Sequence, residues 1–211
     1  AAPAAPAAAP PSADPARAFQ ALNAETLEAA AAAAEATFTV PPAAIKDRLA
    51  FLINNLSAAN VASKADEVGS MIFGAGGHRP ASERLPPGPP PPPAADDFRT
   101  WFADYLVVKR AAQEPNYHAL YASLVAALDD RGLWSALTGS TYHYIRVLLS
   151  SERVITQSGE RSLLKNLGSW LGRLTIGRNQ PVLARDLDVK ATLVDAYAAG
   201  RLIAVLPFVH K

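Results

Sequence analysis

The side chains that could carry out chemistry are few and scattered. The chain has no cysteine, which removes thiolate nucleophiles, disulfides and cysteine-bound zinc together. The four histidines, His78, His118, His143 and His210, share no metal-ligand spacing, and no HExxH run puts two of them on one helical face beside a general base. Gly74-Ala75-Gly76-Gly77-His78-Arg79 looks superficially like a phosphate-cradling loop. It lacks the third glycine of GxGxxG, follows no strand, and meets Pro80 where a helix would have to begin. No P-loop and no Gly-x-Ser-x-Gly elbow occurs. The close carboxylate pairs, Asp129 with Asp130 and Asp186 with Asp188, sit where helices break, so they read as caps and turn residues. No catalytic, metal or cofactor-binding residue is assigned, no cofactor is expected, and an enzyme is the least favoured class.

What remains is binding chemistry. Arg161, Lys165, Arg173 and Arg178 set positive charge along and just after one helix. Such a stripe can touch RNA phosphate or an acidic partner, but a solvated face is the commoner role, and the direct RNA contact expected is weak. Net charge is +1 over 211 residues, so no strong field argues for nucleic acid or a membrane surface. No apolar run approaches the roughly 20 residues that span a bilayer. The opening AAPAAPAAAPP lacks an initiator Met, a basic region and a leucine-rich core, so it does not read as a signal peptide. With the abrupt close at VLPFVHK, a segment of a longer protein is expected.

The elements that would position these groups are helical. The strongest is Arg161 to Ile176, where Leu163, Leu167, Leu171 and Leu174 form one stripe flanked by Leu164 and Trp170. Gly168 and Gly172 lie one turn apart on it. Each glycine costs a helix roughly 1 kcal/mol against alanine, so the pair predicts another backbone passing close. Ser158 is the expected cap at its start and Gly177 its expected end. Pro41 and Pro42 open a helix striped by Ile45, Leu49, Leu52, Ile53 and Leu56. A helical start at Ser63 to Val68 soon loses its pattern. Asp97 to Ala111 resumes it with Phe98, Trp101, Phe102, Tyr105 and Leu106. Asn116 is the expected cap of a helix through Tyr117, Leu120, Tyr121, Leu124, Val125 and Leu128. Leu133 to Leu137 and Tyr142 to Leu149 read as two pieces divided near Gly139-Ser140. Asp186 or Asp188 caps a helix closed by Gly200, and Leu202 to Val209 begins another.

Residues 1–39 are expected to be a largely disordered Ala/Pro-rich arm, with a thin-faced helix plausible over Glu25 to Ala36. Residues 69–95 hold eight of the 18 prolines and read as a tolerated surface insertion containing extended polyproline. Residues 40–211 form the domain. No segment alternates in the strand manner, and the short loops imply consecutive antiparallel helices, either a closed bundle or an α-solenoid.

At Glu114 to Tyr121, EPNYHALY, the chain resembles the EPNF-x-x-x-Y motif of helical middle domains of the eIF-four-G type, which bind DEAD-box RNA helicases. IKDRLAFLINNLS (45–57), WFADYLVVKR (101–110), RSLLKNLGSWLG (161–172) and DLDVKATLVDAY (186–197) narrow the resemblance to the middle domain of the Not-one family. Not-one is the scaffold subunit of the CCR4-NOT deadenylase complex. The resemblance implies an all-α fold, an α-solenoid of HEAT-like antiparallel helix pairs, truncated here at its C-terminal end. It implies two partners, a Caf-one family deadenylase and a DEAD-box RNA helicase, beside the other subunits of the complex, and a cytoplasmic location including processing bodies, with a nuclear pool. Carried over, the helicase contact falls on Arg110, Glu114, Pro115, Asn116 and Tyr117. The deadenylase contact falls on Ile176, Asn179, Pro181, Val182 and Leu183. The alternatives are a translation-initiation middle domain with its own helicase, and a direct RNA binder. The chain departs from the family at 69–95, within what should be one unbroken helix from about Ser63 to Arg110, and in stopping about a helix pair early, which should leave an apolar end exposed.

Overall fold

The computed structural model describes residues 24–73 and 93–211. Residues 1–23 of the arm expected over 1–39, most of the polyproline run and the Gly74 to Arg79 loop lie outside them; the rest of that arm is described and carries a helix over Glu25–Glu35. Among the described residues there is no strand, and ten α-helices follow one another in chain order. They are α1 (Glu25–Glu35), α2 (Ala43–Asn54), α3 (Val61–Phe73), α4 (Pro93–Tyr105), α5 (His118–Leu128), α6 (Arg131–Ser150), α7 (Arg153–Thr156), α8 (Ser158–Leu174), α9 (Val189–Ala198) and α10 (Leu202–Val209). A π-helical stretch, Leu106–Ala111, extends α4, and 3₁₀ turns occur at Pro115–Tyr117 and Ile176–Arg178.

Packing runs between next-but-one neighbours. α3 lies on α5, α4 on α6, α6 on α8 and α8 on α10, while α9 and α10 pair directly. That is the pattern of stacked antiparallel pairs, an all-α solenoid-like domain. The core follows the sequence stripes. Leu49, Leu52, Phe102, Leu106, Leu124, Leu137, Ile145, Leu164, Leu167 and Trp170 are essentially inaccessible to water. Burying each large side chain contributes about 1.5–3 kcal/mol.

α8 is the central strut, in contact with α5, α6, α7 and α10. Its start differs from the expectation: Gln157 stands at the N-cap and makes no side-chain cap, and Ser158 is already helical. Its end is Thr175, with Gly177 inside the following 3₁₀ turn. Of its two glycines, Gly168 meets the predicted close approach, because a Cβ there would lie 2.7 Å from both the ring and the carbonyl of Phe208 on α10. Gly172 does not; its nearest neighbour would be an ordinary 3.7 Å away.

Other boundaries move. α6 runs unbroken through Gly139 and Ser140, because α4 and α8 hold it from two sides, and Gly139 faces open space. Asn116 caps nothing: the helix after it starts at His118 with Tyr117 at the N-cap position. Asp130 and Asp188 do cap, accepting from the Leu133 and Ala191 amides, and Asp129 takes the left-handed conformation between α5 and α6. α3 continues to Phe73, and α4 begins at Pro93, so helix reaches into both ends of the expected insertion.

α1 shows why an alanine-rich segment can be held. Its apolar contribution is small, with Leu27 and Ala24 buried, but polar ties fix it at both ends. Thr26 donates to Glu160 of α8, Glu25 pairs with Arg153 at 2.8 Å, Glu28 with Lys109 at 2.6 Å, and Trp101 donates to Glu35 at 3.2 Å. At the opposite end, α9 and α10 leave Val194, Tyr197, Ile203 and Leu206 exposed, in line with the apolar end expected there.

Candidate functional site: two docking turns

The first turn follows the π-helical stretch. A helix that ends leaves carbonyls without amide partners, and here side chains take them. Gln113 donates to the Val108 carbonyl at 3.1 Å and Asn166 of α8 to the Ala112 carbonyl at 2.8 Å. The Ala111 carbonyl lies 2.7 Å from Nε2 of His118, which is 1 % exposed and tilted against Trp170 with centroids 5.3 Å apart. Nε2 is therefore the protonated nitrogen, and burial holds the imidazole pKa below its ordinary value.

The motif EPNYHALY thus divides by direction. Glu114, His118 and Tyr121 face inward. Glu114 takes a hydrogen bond from the Tyr121 hydroxyl on one oxygen and meets the Arg110 guanidinium at 3.3 Å on the other. Burial first, then the Glu114 carboxylate, pushes the Tyr121 phenol far up, so it stays a donor. Arg110 also donates to the Tyr105 hydroxyl at 3.0 and 2.7 Å and to Asn54 of α2 at 2.8 Å. Its side chain is only 11 % exposed. Arg110 therefore locks α2, α4 and the turn together, so its fork is already engaged inside the fold at a position where the resemblance implies a helicase contact. Pro115, Asn116 and Tyr117 face outward, and Tyr117 is 54 % exposed. Neither bland role survives: Asn116 is not a cap, and Tyr117 is not core. Beside the lock, a depression of about 490 Å³ opens between α1, α2 and α4, with Arg110 and Glu114 in its wall.

The second turn follows α8. The Thr175 carbonyl accepts from the Arg178 and Gln180 amides, at 2.8 and 3.0 Å, and Asn179 adopts the left-handed conformation at φ 58°. Arg146 of α6 donates to the Asp186 carbonyl and pins the far end. Ile176 is 69 % exposed and Leu183 38 %, Asn179 and Pro181 are exposed, and Val182 is half-buried. These five residues fall on one fixed loop, and four of them face solvent.

The basic stripe does not hold together. Arg161 donates to the Val154 and Ile155 carbonyls at the end of α7, and Arg178 lies 3.8 Å above the Trp134 ring. Among the described residues no group of three or more His, Asp or Glu side chains is placed to hold a metal ion, and no helix is long and apolar enough to cross a membrane. Sequence reasoning missed Glu160. It is wholly buried on α8, where Thr26 and Ser151 donate to it and Arg153 lies 3.2 Å away. Nothing in a lone glutamate one turn into an amphipathic helix announces that burial.

Exposed apolar side chains on rigid turns, carried by stacked helix pairs, define a helical-repeat scaffold. Residues 94–211 match the model of a family described as the CCR4-NOT transcription complex subunit 1 CAF1-binding domain, and the chain belongs to that family. It is 38% identical over 194 residues to the CCR4-NOT transcription complex subunit let-711 of Caenorhabditis elegans, which covers 90% of this chain. It is 32% identical over 170 residues (81% of this chain) to the general negative regulator of transcription subunit 1 of Saccharomyces cerevisiae. With the protein of the same name in Schizosaccharomyces pombe, identity is 30% over 165 residues (78% of this chain). In each case the chain spans 7% of the relative's length.

Proposed function

We propose that this chain is a non-enzymatic scaffold segment of a CCR4-NOT complex. It docks a Caf-one (CAF1) family deadenylase on Ile176, Asn179, Pro181, Val182 and Leu183. It docks a DEAD-box RNA helicase on Pro115, Asn116 and Tyr117, with Arg110 and Glu114 as positioning residues behind them. Holding both would join poly(A) shortening to translational repression and decapping of the same messenger, in the cytoplasm, processing bodies and nucleus. The observation that carries the deadenylase half is membership of a family described by CAF1 binding, together with Ile176 and Leu183 held exposed on a fixed loop. The helicase half rests on the outward presentation of Pro115, Asn116 and Tyr117 on a turn whose other members are locked inward. Aromatic anchors of this kind contribute most of the energy where they fill a partner's pocket.

The test is a pull-down with purified proteins. Ile176→Asp should lose the deadenylase and keep the helicase, and Tyr117→Ala with Asn116→Ala should do the reverse. Circular dichroism of both variants should match the parent. A charge reversal at Arg110 is the wrong probe, because it would break the lock and unfold the turn. Retained binding by a folded variant refutes the corresponding surface.

A further inference from the structure

The second turn borders a groove that, of the five docking residues, only Pro181 lines. It holds about 810 Å³ between the start of α6 and the loop after α8, and its lining includes Arg131, Trp134, Arg178 and Arg185. The central carbon of the Arg178 guanidinium lies over the Trp134 ring, 3.8 Å from its centroid, so the group is held in place by the ring beneath it. Arg131 is exposed, and among the described residues its side chain has no hydrogen bond or ion pair. It sits at the first position of α6, where the helix dipole disfavours a cation, so its charge does nothing for the fold. Arg185 is 80% exposed and reaches only its neighbour Asp186, at 3.9 Å.

The carboxylates in the same walls are partly neutralised. Asp130 is held by Arg99 through two bonds of 2.9 Å and by the Leu133 amide. The Arg99 guanidinium and that amide hold its carboxyl below the usual range against the opposing effect of burial. Asp186 has Arg185 beside it, and Asp129 is not without a partner. Three cations thus converge on one concave space, two of them with little or no internal counter-charge.

We infer that this groove receives an acidic segment of the same protein partner that docks on Ile176 and Leu183, with Arg178 as the fixed fork and Arg131 and Arg185 as flanking charges. The inference rests on the deadenylase-docking reading of that loop. Charge complementarity picks the occupant. A guanidinium held over an aromatic ring suits a planar carboxylate. A nucleic-acid backbone fits less well, because the chain as a whole carries only +1, leaving no extended positive track for successive phosphates.

Trp134 supplies the readout. Of the three tryptophans, Trp101 and Trp170 are buried and Trp134 is partly exposed under Arg178. The full chain is titrated with a purified Caf-one family deadenylase, following Trp134 emission and the Kd at 50 and at 300 mM salt, with Trp134→Phe as the optical control. Arg131→Ala and Arg185→Ala should each weaken binding about threefold, as exposed charges do, and Arg178→Ala about tenfold. All three should flatten the salt dependence and leave the melting temperature unchanged. Ile176→Asp should abolish binding. Loss with Ile176→Asp but parental Kd and salt dependence in all three arginine variants overturns the groove and leaves the docking loop standing. Parental binding by Ile176→Asp as well sinks both. An oligoadenylate that changes Trp134 emission at the concentration where the deadenylase does so makes the groove a nucleic-acid site and overturns the inference.

Discussion

The two glycines of α8 make a paired experiment in which geometry sets the sign. At Gly168 an added Cβ would come within 2.7 Å of Phe208 Cδ2 and 2.7 Å of the Phe208 carbonyl oxygen, below the 3.0 Å that real Cβ atoms keep. The ring can turn away, but the carbonyl belongs to the backbone, so α10 itself must move. Replacing glycine by alanine in a helix gains about 1 kcal/mol in propensity. Overpacking a filled contact costs about 1–3 kcal/mol, and a backbone clash belongs at the upper end, so Gly168→Ala should lose about 1–2 kcal/mol net. At Gly172 the nearest atom would be 3.7 Å away, and only the propensity gain of about 0.5–1 kcal/mol remains. The two variants should therefore move in opposite directions. In a chain of this size each kcal/mol is worth about 2–4 °C in melting temperature. Urea denaturation followed at 222 nm gives the stabilities, and hydrogen exchange of the Leu202–Val209 amides shows whether α10 has lifted. The reasoning fails if Gly168→Ala matches or exceeds the parent with α10 protection intact, or if Gly172→Ala destabilises.

Three other perturbations have signs set by the structure. Glu160→Ala removes the buried carboxylate that Thr26, Ser151 and Arg153 converge on, and should cost about 1–3 kcal/mol, because the donors lose their acceptor while Arg153 keeps Glu25 and solvent. Limited proteolysis should then cut near α1 first, while Glu160→Gln is milder. His118 is neutral when folded and has a lowered pKa, so an unfolded chain takes up a proton that the native one refuses. Stability is therefore full above the ordinary value of 6.5 and falls as pH drops below it, and the slope of denaturation midpoint against pH should flatten in His118→Gln. Gly139→Ala, with open space around the new methyl group, should stabilise α6 by about 0.5–1 kcal/mol in thermal melts.

The helical pattern was legible wherever a wide apolar stripe met a clear stop. The stripes of α2, α5 and α8, the caps Asp130 and Asp188, and the close approach at Gly168 all follow from spacing and residue type. The α1 helix itself was legible from propensity, as Glu25 to Ala36, but its anchorage was not, because that is polar and distant: Thr26 meets a residue 134 positions away and Glu35 one 66 away. A local window cannot contain such pairs. The continuity of α6 was hidden for a similar reason, since Gly139 looks like a break until α4 and α8 are laid against it. At the first docking turn the sequence supplied the motif but not its division. Arg110 and Glu114 have the residue types of an interface, and the fold spends them on Tyr105, Asn54 and Tyr121.

That division bears on how the proposed docking would work. Binding loses free energy to the ordering of whatever was loose beforehand, about 0.5–1.5 kcal/mol for each rotamer-rich side chain immobilised. Both turns are ordered in advance. Beneath the first, Gln113, His118 and Asn166 take the carbonyls at the helix end. Around the second, the Thr175 carbonyl and Arg146 fix the loop at each end. Tyr117 and Ile176 are then presented on rigid backbone, and little of their contact energy need be spent in arranging it. Under the proposed docking, the inward residues of each turn would contribute to affinity without touching a partner, and the exposed ones could vary with the partner while the ties beneath them stay the same.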